Sequence, residues 1–144
     1  MMKNMFVKSL LLSSLALSLN ADFIRDNTKL VVNDTKTGLM WQDDAVGSTM
    51  TWANAITTCE NLTLGGYSDW RLPNIRELKS IVDKTRANPA ISPNFTAIAS
   101  NYYWSSTTNA SVPSGAWVVY FGNGNDAWDN KASSNYVRCV RAGQ

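Results

Sequence analysis

The sequence predicts an α+β domain in which two helices precede a run of short strands. Apolar residues recur at helical spacing in the stretches beginning at Trp52 and Ile75. From residue 102 onward the chain breaks into short segments rich in aromatic and β-branched residues, separated by Gly, Asn, Ser and Pro. A single capping box, Asn74 with Glu77 three residues later, marks where the second helix begins.

The first 21 residues, "MMKNMFVKSLLLSSLALSLNA", place Lys3 and Lys8 before an apolar run from Leu10 to Leu19 and end on small Ala21. This is the pattern of a secretory signal peptide, and its apolar run is too short to span a bilayer. The expectation is a leader over residues 1–21 and one domain over 22–144, secreted or periplasmic, with no membrane span after cleavage. The first cysteine is Cys59, far from the cut, so a lipid anchor is not expected. The leader carries two of the 13 basic residues and none of the 11 acidic ones, which leaves the mature chain formally neutral. A neutral chain lacks the basic surface of a general nucleic-acid binder.

Ahead of the helices, "KLVVNDTKTGLMWQD" sets Leu30 and Val32 before a turn-rich stretch and resumes with Leu39 and Trp41. It predicts a hairpin in which Gly38 supplies the positive φ of a bulged turn. In "TWANAITTCENL", Trp52, Ala55, Ile56 and Cys59 fall on one helical stripe, so Cys59 faces the core. Gly65 and Gly66 end that region, and Pro73 holds the chain extended before the capped second helix with Ile75, Leu78, Ile81 and Val82. Residues 83–100 show no sustained period and hold Pro89 and Pro93. They predict a structured loop pinned by Ile91, Phe95 and Ile98. The strands follow in "YYWSST", "GAWVVYFGNG", "DAWDN" and "YVRCVRAG".

Cys59 and Cys139 are the only cysteines. In an oxidising compartment they are most simply one disulfide, with two free thiols the alternative. No Cys-x-x-Cys occurs and the chain has no histidine, which leaves redox and zinc chemistry without support. An enzyme would need a Lys, carboxylate or Cys mechanism, and no spacing points to one. Asp43 and Asp44 are adjacent and predicted on a turn, where they do not converge as an acid and base pair. The expectation is a protein that is not an enzyme.

The strings "TGLMWQD", "TWANAITTCENLTLGGYSDWRLPNIREL", "NPAISPNF", "YYWSST", "AWVVYFGNG" and "YVRCVRAG" occur in the order found in the C-terminal domain family of the Legionella collagen-like adhesin. The chain resembles that family over roughly residues 30 to 142. The Arg-Leu-Pro step into a helix is also similar to that of formylglycine-generating sulfatase modifiers, and the wider resemblance is to C-type-lectin-like folds. The resemblance implies two helices packed on short, irregular antiparallel β-hairpins, and a surface or secreted module recognising a glycan, a sulphated polysaccharide among them. It also implies a structural role for Cys59 and Cys139. The lectin calcium motifs are missing: only Trp128-Asp129-Asn130 occurs, in altered order, and no collagen-like stalk is present.

The leading candidate site is "GNGNDAWDNKASSN", residues 122–135, where Asn123, Asn125, Asp126, Asp129, Asn130 and Lys131 surround Trp128. Amides and carboxylates share hydrogen bonds with sugar hydroxyls, and an aromatic face packs on a sugar ring. The competing interpretation is a polar hairpin turn. Calcium is a weaker use of the same oxygens, whose spacing matches no EF-hand. Of the six tryptophans, Trp70 and Trp128 sit beside Asp in polar turns and are read as surface contacts, while Trp52, Trp104 and Trp117 are read as core. Arg71, Arg138 and Arg141 form an anion site if the fold unites them, and otherwise pair with carboxylates such as Asp69 or Glu77. The rival to glycan recognition is a structural or protein-interaction module with a partner in the cell envelope.

Overall fold

The computed structural model describes residues 23–143. The expected leader and its cleavage site lie outside the described residues. Within them the chain forms β1 (Phe23–Asp26), β2 (Val31–Asp34), β3 (Leu39–Gln42), α1 (Trp52–Glu60), α2 (Ile75–Ser80), β4 (Tyr102–Thr108), β5 (Gly115–Tyr120), β6 (Asn125–Asn130) and β7 (Val140–Ala142). The strands make two antiparallel sheets, ordered β1-β2-β3-β7 and β4-β5-β6. The class is α+β, as expected. The hairpin expected ahead of the helices is β2–β3; beyond it, β1 occupies what the sequence presents as a polar lead, and β7 returns from the far end of the chain to pair with β3.

Neighbouring residues along the strands divide between two hydrophobic clusters. Val31, Met40, Trp104, Val118 and Cys139 enter one, and Val32, Trp41, Tyr103, Val119 and Val140 enter the other. Side chains alternate across a strand, so the central strands β2, β3, β4 and β5 are covered on both faces, while the edge strands β1 and β6 are more open. This is why the central strands read as continuous apolar runs rather than as alternating ones. Helix α1 seals the first cluster through Ala55 and Cys59, and α2 seals the second through Leu78 together with Ile81, the residue that caps its C-terminus.

Local chemistry sets the boundaries. Asp34 Oδ1 accepts from the backbone N–H groups of Lys36 and Thr37, and Gly38 at φ +73° closes the β2–β3 hairpin. Asn74 Oδ1 accepts from Glu77 N at 2.9 Å while Glu77 Oε1 accepts from Asn74 N at 2.9 Å, the reciprocal box predicted for α2. The 83–100 segment is pinned as expected: Ile91 and Phe95 are buried in the second cluster and Ile98 packs against it.

Leu30 departs from its expected inward position. It has φ +57° and lies exposed, so the apolar pair entering the core from this segment is Val31 and Val32. Asp43 also departs, since it is 1 % exposed rather than on an open turn. Its carboxylate accepts from Thr96 N at 2.9 Å, Ala97 N at 3.1 Å and Arg138 Nη1 at 2.9 Å, and pairs with Arg25. Arg138 donates further to the carbonyls of Gln42 and Ala97. This buried ion cluster ties β1, β3, the 83–100 segment and the approach to β7 together. Buried charges persist only when paired and hydrogen-bonded in this way. Burial lowers the Arg138 guanidinium to about 10, which keeps it charged at neutral pH.

Cys59 and Cys139 form a disulfide that joins α1 to the segment entering β7. The bridge spans 80 residues of sequence. Closing a loop of that length stabilises a fold by about 4–5 kcal/mol in the chain-entropy account.

Candidate functional site

The turn before α2 folds inward. Gly65 at φ +62° and Gly66 at φ +85° reverse the chain, with Leu64 and Tyr67 exchanging both backbone hydrogen bonds at 3.0 Å. The reversal carries Trp70 into the first cluster, where it is 3 % exposed and its Nε1 donates to the carbonyls of Tyr67 and Leu64 at 3.1 and 3.3 Å. Trp70 is therefore a core residue and not a surface contact. The sequence suggests the opposite because Asp69 and Arg71 flank it, yet both flanking charges are engaged elsewhere.

Arg71 forms a bidentate pair with Glu77, Nη1 to Oε1 at 2.6 Å and Nη2 to Oε2 at 2.7 Å. Arg141 pairs with Asp69 at 2.6 Å and lies 3.8 Å above the Tyr67 ring. Arg138 is buried on Asp43. The three arginines thus serve three separate carboxylates and do not unite in an anion site. Each hydrogen bond leaves its mark on acidity: Arg71 holds the Glu77 carboxyl below the usual carboxylate range, and Arg141 does the same to Asp69.

The polar stretch around Trp128 is a strand more than a loop. Asn123 sits in the β5–β6 turn, its Oδ1 accepting from Asn125 N at 3.0 Å. Asn125 Oδ1 accepts from Lys84 Nζ at 3.1 Å, and Asp126 pairs with Lys79 at 2.8 Å, which lowers its carboxyl pKa. Asp129 accepts from Asn130 N at 2.7 Å and Asn135 Nδ2 at 2.9 Å, and Asn130 Oδ1 accepts from Ala132 N at 2.9 Å. Lys131 donates to Thr108 Oγ1 at 2.8 Å and lies 4.1 Å above the Trp52 ring.

Six residues of extended chain hold Asn125 and Asn130 about 17 Å apart. Asp126 and Asp129 fall on opposite faces of β6, as their partners Val119 and Ala116 show. A calcium ion takes six to eight converging oxygens, and this donor set does not fit one. Among the described residues no group of three or more His, Cys, Asp or Glu side chains is placed to hold a metal ion.

Trp128 stands apart from this paired-off chemistry. It is 47 % exposed on β6, which is the edge strand of its sheet. In the register it lies directly opposite Trp117, so the two indoles share a face. Trp117 is half-buried rather than sealed in the core, and neither indole N–H has a hydrogen-bond partner among the described residues. The ring of Trp128 lies against Gly115: a Cβ there would stand 2.6 Å from Trp128 Cε3. Asp126 and Asn130 flank Trp128 on the same face. Sequence reasoning missed Trp117 because its apolar neighbours Ala116, Val118 and Val119 present it as core. The cue was that Trp117 precedes Tyr120 and Trp128 follows Asn125 by the same three residues, so a hairpin closed by that pair sets the two tryptophans opposite each other.

These features define a disulfide-closed α+β domain with an aromatic pair on an edge strand. The chain matches the model of the Lcl C-terminal domain over residues 30–141 and belongs to that family. The matched span includes both helices, both cysteines and Trp128. No curated protein matches the chain. No helix among the described residues is long and apolar enough to cross a membrane.

Proposed function

We propose that this protein is a non-catalytic recognition module, exported by the leader at residues 1–21, whose domain over 22–144 binds a glycan or a similar surface polymer. Membership of the Lcl C-terminal domain family supports an adhesin-related role. The observation that carries the reading is the Trp117 and Trp128 pair on one face. Two adjacent indoles with free N–H groups offer an apolar bed for the C–H face of a sugar ring and donors for its hydroxyls. Asp126 and Asn130 border the bed with acceptor oxygens. A C-type-lectin-like ancestry would suit such a surface, although the residues here supply no calcium cage.

The test is binding of the disulfide-bonded protein to an array of neutral and sulphated glycans, with and without calcium, beside Trp128→Ala. Specific binding that the substitution abolishes and that calcium does not alter supports the reading. A second reading, a module that docks on a cell-envelope protein, is favoured by Ile24 and Leu30, both exposed at the β1 edge of the other sheet. Co-purification of an envelope protein that is lost on Ile24→Asp, with an empty glycan array, would decide for it.

A further inference from the structure

A cleft of about 520 Å³ opens between the β2–β3 turn, the end of α2 and the 83–100 segment. Its volume falls within the range of small-molecule sites, about 300–1,000 Å³. Phe23 and Val82 give it an apolar wall, and the Phe23 ring is braced edge-on by Phe95 with centroids 5.2 Å apart. Around that wall the polar groups are only partly used. Asn94 Nδ2 donates to the Phe23 carbonyl at 2.8 Å, which leaves its Oδ1 open. Asp83 takes both Thr85 hydrogen bonds on Oδ1, at 2.9 and 2.6 Å, which leaves Oδ2 open. Ser92 Oγ accepts from Asn94 N at 3.3 Å and keeps its own proton to donate. The Lys36 ammonium has no partner among the described residues, whereas the Asp34 carboxylate is spent on its own turn.

The open groups are therefore the Lys36 ammonium, the unused protons of Lys84, one carboxylate oxygen, one amide oxygen and one hydroxyl proton. The lining as a whole sets two lysines against Asp34 and Asp83, so the cleft selects no net charge. Mixed donors and acceptors beside an apolar wall match a ring whose hydroxyls both donate and accept and whose C–H face is apolar.

The cleft also adjoins the turn that leads into the tryptophan-bearing strand β6. A Cβ on Gly124 would stand 2.5 Å from Val82 Cγ1, so the β5–β6 turn packs on the same Val82 that lines the cleft. Lys84 reaches Asn125 and Lys79 reaches Asp126 across that junction. Lys84 lines the cleft and holds Asn125, so the start of β6, three residues before Trp128, stands beside the cleft.

We propose that the cleft is a second sugar subsite, taking an uncharged pyranose unit of the same extended glycan that packs on Trp117 and Trp128. The proposal rests on the glycan reading above. It predicts a ligand several units long in place of a single terminal sugar, and contact at the cleft that is insensitive to salt because no net charge is matched.

The experiment titrates the disulfide-bonded protein, followed by its backbone and indole N–H resonances, with neutral hexasaccharides of glucose, galactose and mannose and with their methyl glycosides. The variants are Ser80→Trp, which fills the cleft from its rim, and Lys36→Ala, each checked for unchanged thermal unfolding. The expected result is that one hexasaccharide shifts the Trp117 and Trp128 indoles together with Lys36, Ser92 and Asn94. Ser80→Trp should weaken it by about tenfold or more, and its methyl glycoside should bind far more weakly. Shifts confined to the indoles, with Ser80→Trp binding as the parent does, overturn the cleft and leave the glycan reading standing. No shift with any sugar here and no binding on the array overturn both.

Discussion

Trp128 lies directly across β5 and β6 from Trp117, and its ring rests on Gly115, a position where any Cβ would stand 2.6 Å from Cε3. The pair is thus held by the strand register on one side and by a missing side chain on the other. Gly115→Ala should displace the Trp128 indole, which meets the new Cβ first at 2.6 Å and is half exposed, and should press more lightly on the Asp129 carbonyl at 3.2 Å. Truncating a central aromatic anchor costs about 2 kcal/mol or more of binding energy, roughly thirtyfold in affinity. Trp128→Ala should reach that loss, and Gly115→Ala should fall short of it. Glycan titrations of the two variants, with circular dichroism as the fold control, make the comparison. Equal affinity in parent and Trp128→Ala would remove the platform from the binding surface.

The disulfide carries a second expectation. With its cysteines 80 positions apart, reduction or a paired Cys59→Ala and Cys139→Ala substitution should destabilise the domain by about 4–5 kcal/mol. That is a large share of the roughly 5–15 kcal/mol that a domain possesses. Urea unfolding with and without reductant measures it directly. A change under about 1 kcal/mol would mean that the closed loop is already restrained in the unfolded chain.

Asp43 and Asp44 should respond in opposite ways although they are neighbours. Asp43→Ala strips a buried carboxylate from Arg138 and Arg25 and leaves their charges unpaired, a loss of about 3–5 kcal/mol. Asp44 is exposed and, among the described residues, its carboxylate accepts from Gln42 Nε2 at 2.9 Å alone, so Asp44→Ala should stay within about 0.5 kcal/mol of the parent. Denaturation midpoints of the two variants settle the contrast.

Acid should loosen the α2 region. The carboxyls of Glu77 and Asp126 are held below their ordinary values, chiefly by hydrogen bonds from Arg71 and Lys79. A depressed folded pKa means that the stabilisation is fully present above the ordinary carboxylate range, about pH 4, and is lost as pH falls through the lower folded values. Both pairs are partly exposed, so the effect is modest and weakens with salt. Melting curves from pH 7 down to pH 2 should show a decline below about pH 4 that Glu77→Gln diminishes. A profile that Glu77→Gln leaves unchanged would assign the acid sensitivity to other groups.

Several elements were legible because they depend on neighbours in the chain. The Asn74 and Glu77 box, the Gly38 turn and the Trp52–Cys59 stripe each need only a few residues at fixed spacing, and each stands where the sequence predicts it. The disulfide was legible as the simplest use of the two cysteines in a chain read as secreted. Strand β1 was not legible, because Phe23–Asp26 is short, mixed in polarity and defined only by its pairing with β2. Trp70 was misread because a residue between two charges looks exposed until Arg141 and Glu77, distant in sequence, claim those charges.

The sequence by itself determined the α+β class, the helix starts, the family over residues 30–141 and the oxygen-rich character of the stretch around Trp128, all through local spacing and residue type. The tertiary structure decided which tryptophans face outward and which arginines are spent on carboxylates. It also decided that the residues lining the cleft meet, although they lie on segments as far apart as β1 and the 83–100 loop. Burial and charge pairing are properties of packed segments, and a side chain's surroundings exist only once distant parts of the chain have closed around it.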